Sequence, residues 1–200
     1  MIAKTFRAAV LLAALFAFGG NAFAGDGSCS NCSNVGSNLA LSATAETAIT
    51  LTITTGSGGA TVSDGGSGAF SVSFSNVNGL GVGTPASGVN VSTSGSGATY
   101  TTPITVTPSF SGFSSTTATV KVYQDSGASA DSQSAAREGG SAGTVATVPT
   151  TSGSATTVTA TAASASGITR HVGVFVSNAN GGSAVTGSLA PVFIYTVTVN

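Results

Sequence analysis

Cys29 and Cys32 are the two cysteines of the sequence, and they form a C-x-x-C motif. A thioredoxin-type redox site places this motif between a strand and a helix, and a structural zinc site needs two further ligands. Here a polar stretch rich in Gly, Ser and Asn surrounds the cysteines, and the single histidine, His171, is distant in sequence. We expect a local disulfide; cross-linking between chains and redox or metal chemistry remain as alternatives.

Other groups able to do acid–base or nucleophilic chemistry are few and scattered. His171 lies beside Arg170 near the start of a predicted strand, and no serine has the strand–turn–helix context of a nucleophile elbow. The three cations and six acids after residue 24 are Lys121, Arg137 and Arg170, and Asp26, Glu46, Asp64, Asp125, Asp131 and Glu138. We expect a protein that is not an enzyme and that has no cofactor and no metal.

Charged residues make up only 6% of the chain, and its formal net charge is −1. With so few cations no basic patch can form, which excludes binding to nucleic acid or to an anionic membrane. The polar surface must consist of hydroxyl and amide groups, which repel neighbouring molecules weakly. This composition is typical of proteins that assemble, and it favours a structural role.

Residues 1–24 have the features of a cleaved secretory signal peptide. Lys4 and Arg7 precede an apolar segment at 8–18, and the sequence AFA at 22–24 matches a small-x-small cleavage site. The apolar segment is shorter than the roughly 18–20 residues that a membrane-spanning helix needs. We expect a secreted protein, located at the extracellular cell surface or in a filament, without a membrane span.

After residue 37, apolar residues alternate with Ser and Thr at the period of a β-strand. Strands are predicted at 38–45, 47–54, 69–75, 89–93, 100–107, 116–123, 145–148, 156–162, 168–177 and 189–199. Turns rich in Gly and Asn separate about eight to ten such strands, and no segment after the signal has helical periodicity. The predicted fold is all-β: an antiparallel β-sandwich of immunoglobulin-like or jelly-roll type.

The domain organisation follows from the same pattern. We predict a signal peptide at 1–24, a flexible polar lead with the C-x-x-C motif at 25–37, and a single β-sandwich domain at 38–200. Within this domain the polar segment Gln124–Gly143 is predicted to be a long loop. Pro103 is expected to begin or edge a sheet, and Pro108 to end its strand.

The last predicted strand has the clearest two-sided pattern. Ile194, Thr196 and Thr198 form one face, and the other face, predicted to lie in the core, consists of Phe193, Tyr195, Val197 and Val199. We expect this strand to form a late hairpin with 172–177 through the turn region at 178–182.

A signal, a polar lead, strands with Ser, Thr and Gly surfaces, and an aromatic residue in the terminal strand occur here together. In this combination the chain resembles a bacterial fimbrial or pilus subunit, or a spore-coat-like secreted sandwich. In chaperone–usher pilins an N-terminal segment of one subunit fills a groove in its neighbour, so the resemblance implies Leu39, Leu41 and Ala43 as inserted side chains. The implied partners are copies of the chain itself, with a periplasmic chaperone or outer-membrane assembly machinery.

The chain departs from that family at two points. Both cysteines precede the sandwich, and Tyr195 lies further from the C-terminus than the family's tyrosine motif. Some surface pilins also cross-link a strand lysine to an asparagine side chain. Lys121 has two interpretations: it forms such a cross-link, or it faces outward and discourages pairing at a strand edge.

The resulting hypothesis is a non-enzymatic, secreted structural subunit that assembles into a surface filament or an extracellular matrix by β-strand complementation. The alternative is a monomeric adhesin or carbohydrate-binding module. Its ligand site would lie in Gln124–Gly143 or on exposed Tyr100 and Tyr123.

Overall fold

The computed structural model describes Ala43 and the ranges 45–125, 134–178 and 189–200. The described residues form eleven β-strands and a short 3-10 helix at Ser152–Ser154. The strands are β1 (Ala48–Thr55), β2 (Val62–Asp64), β3 (Phe70–Val72), β4 (Asn90–Ser94), β5 (Gly97–Ser111), β6 (Thr117–Gln124), β7 (Ser134–Gly139), β8 (Ala146–Thr147), β9 (Thr156–Ala163), β10 (Ile168–Ser177) and β11 (Phe193–Val199).

These strands form three antiparallel sheets. The main sheet has the order β1-β5-β10-β7-β8, and β4 pairs with β5 beyond the end of β1. A three-stranded sheet has the order β11-β6-β9, and β2 pairs with β3 in a small hairpin. The predicted all-β fold with antiparallel pairing is confirmed.

The core lies between the main sheet and the three-stranded sheet. Ile104, Val106 and Val172 of the main sheet pack against Val120 and Ala162 of the three-stranded sheet, and all five are at most 5% exposed. Burying such β-branched and aliphatic side chains supplies the main driving force for folding. Two facing layers around one apolar core make the unit a β-sandwich, as predicted.

Strand β6 shows how the sequence pattern produces this layering. Ala118, Val120 and Val122 are fully buried, whereas Lys121 between them is exposed. Successive side chains on a strand point to opposite faces, so the apolar positions face the core and the polar ones face solvent.

Both prolines of β5 lie inside the strand, so the predictions that Pro103 begins or edges a sheet and that Pro108 ends the strand are wrong. The carbonyl of Pro103 accepts from the amide of Gly56 (3.1 Å), and that of Pro108 accepts from the amide of Ala165 (2.8 Å). In an antiparallel ladder the N–H and C=O of one residue point to the same side. The nitrogen of each proline, which carries no hydrogen, therefore faces a place where no strand is paired with β5. For Pro103 this place lies between β4 and β1, and for Pro108 it lies beyond the end of β10.

The segment Gln124–Gly143 is not one long loop, because its residues Ser134–Gly139 form β7. This strand lies between β10 and β8, and Ala136 and Glu138 are buried at 3% and 5% exposure. Its residues are small or charged and have low strand propensity, so pairing with β10 determines its conformation.

The expected hairpin between the last strand and β10 is absent. Strand β11 pairs with β6 in the opposite layer, in a register that runs from Phe193↔Gln124 to Val199↔Ala118. β10 is already paired on both sides, with β5 and with β7, and has no free edge to offer.

A compact unit spans Glu46–Asn200. Ala43 and Ala45 are exposed and lie outside the strands. The predictions for the signal peptide, for Cys29 and Cys32, and for Leu39 and Leu41 concern residues outside the described part of the chain. No helix in the described part is long and apolar enough to cross a membrane.

Candidate functional site

A groove of about 820 Å³ opens on the inner face of the main sheet. Four aliphatic side chains from three adjacent strands form its floor: Ile53 of β1, Ile104 of β5, and Val172 and Val174 of β10. The last three are at most 5% exposed, and Ile53 is half-buried. This floor continues the apolar face that elsewhere packs against the three-stranded sheet, so an apolar group lying on it would become part of the core.

Two walls with aromatic side chains border this floor. Phe70, Val72 and Phe74 line one wall, and Phe193 and Tyr195 of β11 line the other. The apolar residues named in each wall are spaced two apart, as on one face of a strand. The serines between Phe70 and Phe74 line the groove as well. All five side chains are half-buried, although they are apolar or aromatic and face the interior.

One edge of β11 has no paired strand among the described residues. Among the described strands β6 is the only partner of β11, and no backbone hydrogen bond of the described residues joins β11 to β3. An unpaired strand edge presents a row of N–H and C=O groups that can bind a further strand. The groove thus combines an apolar floor with an open hydrogen-bonding edge, which is the geometry that accepts an extended segment.

The wall that begins with β3 is held by its own contacts to the main sheet. The Tyr100 side chain is fully buried, and its hydroxyl accepts from the amide of Asn78 (3.1 Å) and donates to the carbonyl of Asn78 (2.9 Å). The amide of Ala86 donates to the carbonyl of Phe74 (3.1 Å). The bonds to Tyr100 thus attach the chain at Asn78 to the main sheet, and the bond from Ala86 to Phe74 closes the loop that contains it.

A buried polar cluster lies behind the second wall. Arg170 binds Glu138 with two hydrogen bonds, from Nε to Oε1 (2.5 Å) and from Nη2 to Oε2 (2.8 Å). The hydroxyl of Tyr195 donates to Oε1 of Glu138 (3.2 Å). Since Glu138 and Arg170 belong to the main sheet and Tyr195 to the three-stranded sheet, this cluster joins the two layers where β11 borders the groove.

The cluster shifts the ionisation of its members. The hydrogen bond to Glu138 raises the pKa of Arg170, and burial partly opposes this effect. Burial also raises the pKa of Tyr195, and the charge of Glu138 and the hydrogen bond to it act in the same direction. The Arg170 guanidinium is therefore charged and the Tyr195 hydroxyl protonated at neutral pH, so the three groups form a stable donor–acceptor network.

Groups with catalytic potential do not converge elsewhere in the described residues. His171 is half-buried on the opposite face of β10 from Arg170, and its Nδ1 is buried without a hydrogen-bond partner. Burial lowers the pKa of His171, and the charge of Arg170 adds to this effect. No group of three or more His, Cys, Asp or Glu side chains within the described ranges could hold a metal ion.

The structure brings together part of the predicted terminal-strand face. Phe193, Tyr195 and Val197 pack against the central core cluster, and Val199 is half-buried near the end of the strand. Ala43, the one donor-strand candidate within the described residues, is exposed and lies in no strand.

The residues named for a carbohydrate site are differently placed. Tyr100, expected to be exposed, is fully buried with its hydroxyl bound to Asn78. Tyr123 is half-buried on β6, and the described part of Gln124–Gly143 includes the buried end of β7. Lys121 is exposed on β6.

Sequence reasoning missed the Glu138–Arg170–Tyr195 cluster and the β3 wall as parts of one site. Glu138 and Arg170 are opposite charges in a chain with very few charges, which was the one available signal. The face formed by Phe70, Val72 and Phe74 was visible as a pattern, but its position opposite β11 depends on long-range pairing.

No protein-family model, curated protein or solved structure matches this chain.

Proposed function

We propose that this chain is a non-enzymatic, secreted structural subunit that assembles into a surface filament or an extracellular matrix by β-strand complementation. The observation that carries the proposal is the groove between β3 and β11, with its apolar floor and the open edge of β11. A strand added beside β11 would gain backbone hydrogen bonds, and its alternate side chains would fill the groove.

The segment at 38–45 has the composition such a strand needs. It carries no charge, and Leu39, Leu41 and Ala43 recur with a period of two, separated by small residues. Two leucines and an alanine placed on Val172 and Val174 would remove apolar surface from water, at about 25 cal/mol per Å².

The length of the chain favours a donor from a second copy. Thr47 lies next to Gly112, and β1 runs from there to Ile53, the residue of β1 on the groove floor. This distance is six residues, about 20 Å. Leu41 also lies six residues from Thr47. If the chain before Thr47 ran back along β1 fully extended, Leu41 would reach only as far as Ile53, and Ala43, four residues from Thr47, would not reach the groove. One chain cannot place all three side chains in its own groove.

The test compares two pairs of charges placed on opposite faces of the donor segment. Leu39→Asp with Leu41→Asp puts carboxylates on the face that would enter the groove, whereas Ala40→Asp with Ser42→Asp puts the same charges on the other face. We expect the chain that starts at Gly25 to polymerise in its native form and in the Ala40/Ser42 variant, and the Leu39/Leu41 variant to stay small. Analytical ultracentrifugation and negative-stain microscopy measure this, and circular dichroism controls for folding.

A peptide with the sequence of residues 38–45 provides a second measurement. Added to the Leu39/Leu41 variant, it should raise the melting temperature with increasing peptide concentration, because a ligand that binds only the folded state stabilises it. The proposal is wrong if the native chain stays monomeric at its highest soluble concentration, or if both charge variants polymerise equally.

A further inference from the structure

In the described part of the chain, the outer edge of β1 is a second strand edge without a paired strand, in the other layer of the sandwich. β1 lies at one end of the main sheet, and β5 is its only paired strand among the described residues. Its eight residues pair with β5 without a shift in register, from Ala48↔Ser111 to Thr55↔Ile104. The edge is therefore long and regular.

β1 lacks the features with which proteins usually protect such an edge. Edge strands are commonly short, charged, interrupted by proline, or distorted by bulges. β8, at the other end of the main sheet, has two residues, and the pairing of the edge strand β9 with β6 contains shifts in register. β1 has the sequence AITLTITT, with no charge, no proline and no glycine.

The apolar face of β1 is incompletely covered. Ile49 is 43% exposed, and Leu51 and Ile53, on the same face, are only half-buried. On the other face Thr50, Thr52 and Thr54 are exposed. A strand that paired with this edge and also alternated apolar residues with threonine would cover Ile49 on one face. On the other face it would place its threonines next to those of β1.

We propose that two copies of this chain pair through their β1 strands, antiparallel and about a twofold axis, so that the two main sheets form one continuous sheet. A second copy fits because β1 is complementary to itself. With Leu51 opposite Leu51, Ile49 lies opposite Ile53 of the other copy, and Thr50 lies opposite Thr52. Cross-strand pairs of like character stabilise an antiparallel sheet, and an uncharged strand meets no repulsion from its own copy.

This contact is separate from strand complementation in the groove. The groove uses the edge of β11 in the three-stranded sheet, whereas the β1 contact extends the main sheet sideways. An assembly that used both contacts would grow into a filament through the groove and would pair its subunits through β1.

The test uses the chain that starts at Gly25 with Leu39→Asp and Leu41→Asp, in which the proposed donor segment is disabled. Sedimentation should show a dimer, and adding Thr52→Lys should raise its dissociation constant about tenfold, because two introduced ammonium groups then face each other diagonally across the axis. Thr50→Glu combined with Thr52→Lys should restore the dimer, because the carboxylate introduced at position 50 then faces the ammonium group introduced at position 52 of the other copy. Thr150→Lys, at an exposed site outside the strands, should leave the dimer unchanged.

A monomer at the highest soluble concentration would overturn the proposal. So would a Thr50/Thr52 double variant that dimerises no better than Thr52→Lys alone, since restoration depends on the register. If the native chain polymerises while the Leu39/Leu41 variant is monomeric, the groove is used and the β1 contact is not. If the native chain stops at a dimer that Thr52→Lys dissociates, the β1 contact stands and the groove proposal fails.

Discussion

Glu138 is the residue that holds together the polar cluster between the two layers. Its side chain is 2% exposed, and it accepts hydrogen bonds from Arg170 and from Tyr195. Removing one partner of a buried ion pair leaves the other charge without compensation, which commonly costs more than the pair itself contributes. Replacing Glu138 should therefore lower the stability of the fold more than removing the hydroxyl of Tyr195.

We expect Glu138→Gln to lower the free energy of unfolding by about 3 kcal/mol, because Arg170 keeps its charge in a mostly buried site. Tyr195→Phe removes one hydrogen bond to a carboxylate and should cost about 1.5 kcal/mol. Urea denaturation measures both, with Lys121→Gln, at an exposed position, as a control that should change little. A larger cost for Tyr195→Phe than for Glu138→Gln would contradict this account.

His171 should make stability depend on pH in mildly acidic solution. Burial lowers its pKa in the folded state, while the unfolded chain keeps the ordinary value of 6.5. The unfolded state thus binds a proton first as the pH falls, and stability declines from pH 6.5 downward until the folded-state pKa is passed. Above pH 6.5 this residue has no effect.

Because His171 is the only histidine, replacing it should remove this slope. The free energy of unfolding of His171→Gln, measured by urea denaturation between about pH 7 and pH 5, should change less with pH than that of the native chain. Lys121→Gln should keep the native slope. An equal slope in the native chain and in His171→Gln would assign the effect to other groups.

At the scale of elements, the pairing of β5 with β10 determines the floor of the groove. At Gly173 the two strands approach so closely that an added Cβ would overlap the carbonyl oxygen of Tyr100. Since backbone cannot rotate away as a side chain can, one of the strands would have to move. Gly173 is therefore required by a close contact of two backbones.

Gly173→Ala should destabilise the protein by about 1–3 kcal/mol, the usual cost of overpacking. Gly153→Ala is the matched control, because no atom lies within 4 Å of a Cβ added there, and it should be neutral or slightly stabilising. Thermal denaturation compares the two variants. Equal melting temperatures would show that β5 and β10 can separate locally at no cost.

The strands most visible in the sequence are those in which β-branched or aromatic residues alternate with Ser or Thr, such as β1, β6 and β10. That pattern also predicted the all-β class, because individual strands and the all-β class can both be recognised from a local period of two. β7 was missed, since Ala and Ser carry little local preference and its conformation depends on β10. Pairing partners, such as β6 for β11, depend on contacts between distant segments that periodicity does not encode.

For the same reason the site was predictable only in part. The face with Phe193 and Tyr195 could be read from spacing, whereas the groove exists because β3, in a different part of the chain, lies across the floor from β11. Glu138 could not be assigned to the core from its neighbours in sequence. Its burial follows from the position of β7 beside β10, opposite Tyr195.

On the scale of the whole molecule, most strand partners are far apart in the chain. β1 pairs with β5, from which it is separated in the chain by β2, β3 and β4. β5 in turn pairs with β10, from which it is separated by β6, β7, β8 and β9. Proteins dominated by such distant pairings fold slowly, on timescales of milliseconds to seconds.

The order of these pairings has a consequence for β1 during synthesis. A chain made from its N-terminus at roughly 5–20 residues per second presents β1 seconds before β5 is available to pair with it. In that interval both edges of an uncharged strand of Ile, Leu and Thr are free, a composition that favours association with other unfinished chains. β1 is therefore the segment on which the yield of correctly folded protein should depend most, and the one that a folding helper would have the most reason to cover.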